Sequence, residues 1–312
     1  VTRPPAPGGT PTGTPSVGVV IPTRGDRPGH LFAAVRAALA QDHPGRISVV
    51  VVADGANPET VLDGLAGLRD AHDLRVLPNG LTPGLPGARN TGIAASDTDL
   101  VAFCDDDDQW LPGKLTAQIR LLAETGAEFA SCGIEVEHGG HRVPRLAGTT
   151  TVTEADLLRS RMVMVHSSTF LFRRGGLWVD ESAPGGQNED WDLALRAARR
   201  HPIAHVDRPL VRVHWGASHY VARWSERIAG LEWMLARHAG LSADPRGAAR
   251  VYGQLAFHHA ALGHRREAGR WAMRAFGARP AEPRAPIALA VAAGLIPAAT
   301  VLTLLHGRGH GI

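Results

Sequence analysis

Cysteine is nearly missing: Cys104 and Cys132 are the only two in 312 residues. Two thiols exclude a disulfide framework and a cysteine-based zinc site. Both read as small buried hydrophobes, and a reducing compartment suits them. Lysine is scarcer still, with Lys114 alone against 32 arginines. That skew reads as drift towards Arg, Ala and Gly, and no nucleic-acid partner is expected from it. The 36 glycines and 22 prolines follow no collagen-like period. A charged start followed by an apolar run is also lacking. Val1 to Ser16 is rich in Pro, Gly and Thr, so it reads as a disordered leader (residues 1–16) and not as a signal peptide. His166-Ser167-Ser168 has no Asp with the right companions, which argues against hydrolase chemistry there. These three residues are instead candidates to line an acceptor pocket.

What is present supports a folded body. Hydrophobic residues make up 44% and charged residues 20%, enough apolar material for a core. The net charge of +3 is unevenly spread. Residues 223–312 hold 12 Arg against 5 acids, and the rest of the chain is net acidic. The basic end suits an acidic partner, an anionic membrane surface or simply a solvated helix face. Pro286 to Leu305 carries no charge. Three placements fit it: a membrane span, a helix lying on a membrane surface, or a buried terminal helix pair. Its alanines and Pro297 weigh against the span.

Val17 to Ile21, Ile47 to Ala53, Leu74 to Leu77 and Leu100 to Cys104 are apolar runs that read as strands. Between them His30 to Ala40, Thr60 to Leu68 and Ala88 to Ala95 read as helices. This alternation predicts a mainly parallel sheet covered on both faces. Ligands on such sheets sit at the carboxyl ends of strands, where Asp54 and Asp105 fall. Helices are expected over Lys114 to Thr125, Thr153 to Arg161 and Asp190 to Arg200, with strands over Phe129 to Glu137 and Ser168 to Arg173. From about residue 222 the pattern is helical, and Arg246 to Phe276 resembles one tetratricopeptide-type hairpin.

Asp105-Asp106-Asp107-Asp108 directly follows a buried strand. Four adjacent carboxylates repel one another. A divalent cation relieves that, and oxygen ligands suit Mg²⁺ or Mn²⁺. In an extended chain Asp105 and Asp107 would face the same side.

With these residues in view, the chain resembles the inverting family 2 glycosyltransferases. Val19-Val20-Ile21-Pro22-Thr23 is similar to that family's opening strand. Ala53-Asp54-Gly55-Ala56 is similar to its Asp-Asp-Gly-Ser element, and Ala88-Arg89-Asn90-Thr91-Gly92 to its Ala-Arg-Asn-x-Gly helix. Phe103 to Leu115 resembles its metal motif. Asn188-Glu189-Asp190-Trp191-Asp192-Leu193 resembles its Glu-Asp element, and Val211-Arg212-Val213-His214 a later segment. Order and spacing agree over roughly residues 17–216. The resemblance implies an α/β GT-A nucleotide-diphospho-sugar transferase fold, with a mixed, mainly parallel central sheet and flanking helices, followed by a helical C-terminal region. The expected division is a leader over 1–16, a transferase domain over 17–222 and a helical region over 223–312.

The resemblance also implies chemistry: metal-assisted single displacement of a sugar from a nucleotide donor, commonly UDP-linked, to a hydroxyl. The acceptor would be a glycan, a lipid-linked sugar or a small molecule. By the same resemblance Asp54 contacts the base and Arg89 holds the nucleotide. Asp105 and Asp106 bind hydroxyls, Asp107 binds the cation, and His214 approaches the metal or diphosphate. Pro22, Thr23, Arg24, Asn90 and Glu189 complete the donor site, with Asp105 a further metal ligand. Asp190 is the implied base. Ala53 stands where the family usually has an acid, which opens the alternative of an impaired nucleotide-sugar-binding protein. A nucleotidyltransferase of related fold is the other rival. A cytoplasmic location is expected, with peripheral contact on the inner membrane face through the C-terminal region.

Overall fold

A computed structural model of the chain describes residues 13–69, 73–214 and 223–306. The leader expected over 1–16 therefore lies mostly outside the described residues, as does the domain boundary at 222. At the leader's end, Ser16 donates from its N–H and Oγ to Asp99 at 2.8 and 2.7 Å. That fastens the entry into the first strand.

Among the described residues ten strands form one sheet: β1 (Val17–Thr23), β2 (Ile47–Ala53), β3 (Asp73–Pro78), β4 (Leu100–Phe103), β5 (Gln109–Trp110), β6 (Phe129–His138), β7 (His141–Arg145), β8 (Thr151–Val152), β9 (Leu171–Arg173) and β10 (Ile203–His214). Their order is β3-β2-β1-β4-β9-β6-β10-β5, with β7 beside β6 and β8 beside β10. The first four are parallel neighbours, as alternation of strand and helix requires. β9 runs antiparallel to both β4 and β6, so the sheet is mixed. β1, β2 and β4 are buried along nearly their whole length, which is why they read as unbroken apolar runs.

The helix Leu85–Ala95 lies against β1 and β2. A Cβ on Gly92 would collide with Val20 of β1, and one on Gly87 with the Thr82 carbonyl. Gly92 lets the helix approach the sheet closely, and Gly87 lets the preceding loop fold back onto the helix's first turn. The same approach places Arg89 over the carboxyl end of β4.

Two departures from the sequence reading have local causes. The helix expected over Thr60 to Leu68 is two short ones, Pro58–Asp63 and Ala66–Arg69, interrupted at Gly64-Leu65. β10 is a strand of 12 residues that no apolar pattern announced. Asp207, Arg208 and Pro209 interrupt its hydrophobic run, and the register against β6 shifts on both sides of Pro209. Of the three placements open to the uncharged stretch 286–305, the helix pair is the one found: it falls on the helices Arg284–Ala292 and Ala298–His306 and the turn between them. Among the described residues no helix is long and apolar enough to cross a membrane. Ala285, Ala288 and Val301 are buried against the hairpin Pro245–Ala261 and Arg265–Ala278, while Leu295 and Leu304 stay 77% and 61% exposed.

Candidate active site

The acidic run does not stay extended. The Asp108 N–H donates to the Asp105 carbonyl at 3.1 Å, closing a turn. Asp105 and Asp107 are therefore not side by side as an extended chain would place them. The turn splays the four carboxylates towards different partners, which is how their repulsion is relieved. Asp105 accepts from Arg89 Nη2 at 2.6 Å and from Ser167 Oγ at 2.9 Å. Burial pushes its carboxyl up, but Arg89, His166 and Ser167 outweigh that and hold it below its usual range. Asp106 accepts from Thr23 Oγ1 and Arg27 Nη2, both at 2.6 Å, yet burial raises it to about 6. Asp107 faces the cleft and pairs with Arg27 Nη1. Asp108 is buried, and burial together with Asp105 and Asp107 pushes it well above the carboxylate range.

Arg89 is almost wholly enclosed, at 1% exposure, and bridges Asp105 to Glu189. Its guanidinium also lies over the Phe103 ring at 5.5 Å. Burial lowers its proton affinity, but the two carboxylates prevail and hold it above its usual value. Glu189 is raised by burial against the pull of Arg89. Glu189 and Asp190 open the helix Glu189–Arg200, where acids favour the positive end of the helix dipole. Asp190 is buried at 7% exposure and receives Arg161 Nη2 at 3.0 Å on each oxygen. The Trp191 N–H donates to its Oδ1 at 2.8 Å.

Two residues after Asp190, Asp192 fastens this helix to the C-terminal helices. It accepts from Arg196 Nε at 2.8 Å, Arg237 Nε at 2.6 Å and pairs with His238 Nε2 at 2.9 Å. Burial opposes ionisation, but His238 and the two arginines hold its carboxyl down to about 2.

One cleft of about 1570 Å³ is lined by Pro22, Thr23, Arg24, Asp54, Arg89, Asp105, Asp106, Asp107, Glu189, Asp190 and His214. Eleven residues singled out from sequence thus share a cavity. Asp54 accepts from Asn79 Nδ2 at 2.8 Å and from the Gly84 N–H at 3.0 Å, so it fixes the loop after β3 at the cleft rim. Asn90 does not line the cleft. Its amide donates to the Val179 carbonyl at 2.9 Å and to Glu181 Oε1 at 2.7 Å, and accepts from the Val179 N–H at 2.9 Å. Ala53 is buried at the end of β2, where its methyl belongs to the core. Lys114 is buried too, 3.9 Å from the Trp110 ring and lowered by burial to about 8.

Among the described residues, Asp105, Asp108 and His166 bring donor atoms within 4.8 Å of one another, a set that can hold a hard cation. The set expected from sequence, Asp105, Asp107 and His214, is not gathered in the same way: His214 reaches the Asp107 carbonyl with Nδ1 at 2.8 Å. His166 Nε2 is buried without a partner, as an imidazole waiting for a ligand would be. Burial lowers the His166 pKa, which favours the neutral ring that metals take. Oxygen and imidazole donors fit Mn²⁺ or Mg²⁺. Sequence reasoning did not find Arg27, Arg161 or His166 in these roles. Arg27 and Arg161 gave no signal beyond being basic, because their partners lie 80 and 29 positions away.

The model of glycosyl transferase family 2 matches residues 18–179. The succinoglycan biosynthesis protein ExoW of Rhizobium meliloti (strain 1021) is 40% identical over 116 residues, 35% of each chain. The Escherichia coli UDP-Glc:alpha-D-GlcNAc-diphosphoundecaprenol beta-1,3-glucosyltransferase WfgD is 28% identical over 87 residues, 28% of this chain and 34% of WfgD. The matched part thus spans about a third of these curated relatives. S. aureus TarS 1-349 in complex with UDP-GlcNAc superposes with a TM-score of 0.58 at 16% identity, covering 95% of this chain and 92% of TarS 1-349. The mannosyltransferase PcManGT from Pyrobaculum calidifontis in complex with GDP-Man and Mn²⁺ gives 0.50 at 19% identity, covering 94% of this chain and 80% of PcManGT. At such identities the structures speak for the fold, which is the GT-A arrangement of a mixed sheet with flanking helices. Taken with the ordered motifs and the shared cleft, the match over residues 18–179 shows that the chain belongs to glycosyl transferase family 2.

Proposed function

We propose that the protein is an inverting glycosyltransferase. It moves a sugar from a nucleotide-diphosphate donor, a UDP-sugar foremost, to a hydroxyl-bearing acceptor. The observation that carries this reading is the single cleft shared by Asp54, the Asp105–Asp107 turn and Asp190. Its volume of about 1570 Å³ exceeds the roughly 300–1,000 Å³ of a site for one small ligand, so donor and acceptor fit together. In this reading residues 17–222 form the transferase domain, and helices from residue 223 onward close the far wall through Arg227, Leu231 and Arg250.

The residues divide the work. Asp54 and the loop it holds receive the base. Arg89 and Arg27 orient Asp105, Asp106 and Asp107 towards the donor. Asp190 accepts the acceptor's hydroxyl proton as that oxygen bonds to the anomeric carbon. The bond from that carbon to the diphosphate oxygen breaks on the opposite face, and its electron pair leaves with the nucleoside diphosphate. One displacement inverts the carbon and needs no enzyme nucleophile. Asp107 with Asp105, or Asp105, Asp108 and His166, would hold a divalent cation, which would supply counter-charge to the departing diphosphate. The Mn²⁺ complex of PcManGT supports the cation, and the diphosphoundecaprenol in the name of WfgD supports a lipid-linked acceptor. The exposed Leu295 and Leu304 support peripheral contact with a membrane.

The test is a thermal-shift screen of UDP-, dTDP- and GDP-sugars with Mn²⁺ and with EDTA, followed by product analysis. Ligand at a hundred times Kd adds about 2.7 kcal/mol of stability. Stabilisation that EDTA removes, with release of nucleoside diphosphate, is expected. Pyrophosphate release would identify a nucleotidyltransferase. Turnover unaffected by EDTA, or by Asp107→Ala, would remove the cation from the mechanism.

A further inference from the structure

The far end of the cleft carries positive charge that the chain itself does not neutralise. Arg159, Arg161, Arg223 and Arg227 line it, together with Arg250 and His258. Several are already paired: Arg159 with Asp244 at 3.7 Å, Arg161 with Asp190 at 3.0 Å and Arg223 with Glu226 at 2.5 Å. Behind them Arg284 pairs with Glu282 at 2.7 Å. Arg227 and Arg250 have no acid within 4.0 Å among the described residues. Arg227 rests over the Trp224 ring at 5.7 Å. Arg250 donates from Nη1 to Ser160 Oγ, but its Nε is buried without a partner.

Beside them stands His258, at 3% exposure, with both ring nitrogens unpartnered and Trp224 at 5.3 Å. A buried polar ring with no bond of its own is costly unless a ligand completes it. Like charge adds to the cost. Burial, then Arg284 and Arg161, outweigh the pull of Glu282 and lower Arg250 to about 10, and burial with Arg161 lowers Arg227.

The ion pairs give this cluster a direction. Arg89 joins Asp105 to Glu189, the next residue Asp190 joins Arg161, and Arg161 repels both Arg227 and Arg250. Asp190 thus stands between the strand-end aspartates and the two unpaired arginines. A group bound to those arginines lies on the acceptor side of the base.

We infer that Arg227, Arg250 and His258 form a subsite for a phosphate ester carried by the acceptor, next to the sugar whose hydroxyl Asp190 activates. Two unpaired guanidiniums match the nearly two negative charges of a phosphate monoester, or of a diphosphate joining a sugar to a lipid, better than the single charge of a carboxylate. This inference rests on Asp190 being the base of a glycosyl transfer. The ester's source is either a lipid-linked phosphate or a phosphorylated glycan.

Calorimetric titration of the full chain, with saturating UDP and Mn²⁺ filling the donor site, tests it. The probes are octyl phosphate and glucose 1-phosphate, with neutral octyl glucoside as control. Either phosphate should bind while octyl glucoside does not, and the tighter one identifies the source. Arg227→Gln and Arg250→Gln should each weaken that binding about tenfold or more, with UDP affinity unchanged. Arg227 makes no side-chain hydrogen bond that the fold requires, so its variant decides if Arg250→Gln fails to fold. Displacement of the probes by UDP would assign the arginines to the donor instead and overturn the inference. So would probe binding that the Arg227 variant leaves intact, or no phosphate binding with UDP in place. A chain that binds no nucleotide refutes the donor reading, and the same titration without nucleotide still decides whether the phosphate subsite exists.

Discussion

Replacing Asp192 with Asn tests whether the site helix is held by charge. Asp192 is fully buried and meets Arg196, Arg237 and His238, the latter two from the helix Trp224–Arg237 and its C-cap. Its pKa of about 2, against the ordinary 3.8, corresponds to about 2.4 kcal/mol of folding free energy at neutral pH. Asn keeps the shape but gives up one acceptor oxygen and the charge. The stranded arginines and His238 add to the loss, and breaking a buried ion pair costs about 3–5 kcal/mol. Arg237 is 35% exposed and regains water, so the expected cost is the lower half, about 2–4 kcal/mol. Urea unfolding at a series of pH values measures it. The sign follows from the depressed pKa. The stabilisation is complete above the unfolded-state value near 3.8 and disappears as pH falls through about 2. The gap between wild type and Asp192→Asn should therefore be full at pH 7 and close between about pH 4 and 2. A gap under about 1 kcal/mol at pH 7, or one that pH does not change, would refute the reasoning.

Three further outcomes follow from the site. Asp190→Asn should lower turnover by about 10²–10⁴, the usual worth of a positioned base, while UDP stabilisation persists; more than a tenth of wild-type activity would refute the base. Arg89→Met leaves Asp105 and Glu189 buried without their cation and should cost about 3–5 kcal/mol in chemical denaturation; a loss near zero would show that the bridge is not needed. Asp106 has a raised pKa of about 6, so the folded state holds its proton more tightly than the unfolded chain and stability falls as pH rises from about 4 to 6. Asp106→Asn should flatten that part of the stability–pH curve, and an unchanged slope would contradict the burial argument.

Sequence by itself determined the parallel half of the sheet and the address of the acids. β1, β2 and β4 are covered on both faces, so their residues must be apolar throughout, and such runs are legible one residue at a time. Asp54 and Asp105 follow those runs directly, so their place at the strand ends was legible too. Tertiary structure alone decided how the acids are used. The turn at Asp105–Asp108 sends neighbouring carboxylates to Arg89, to Arg27 and into the core, and each partner comes from a remote element. β10 stayed hidden because Pro209 and two charges broke its pattern, while pairing with β6 still made it a strand. Asn90 sat inside a recognisable motif yet turned towards Val179. The physical reason is common to all three. Local pattern reports which residues leave water, whereas ion pairs and ladder bonds between distant segments depend on which elements folding brings together.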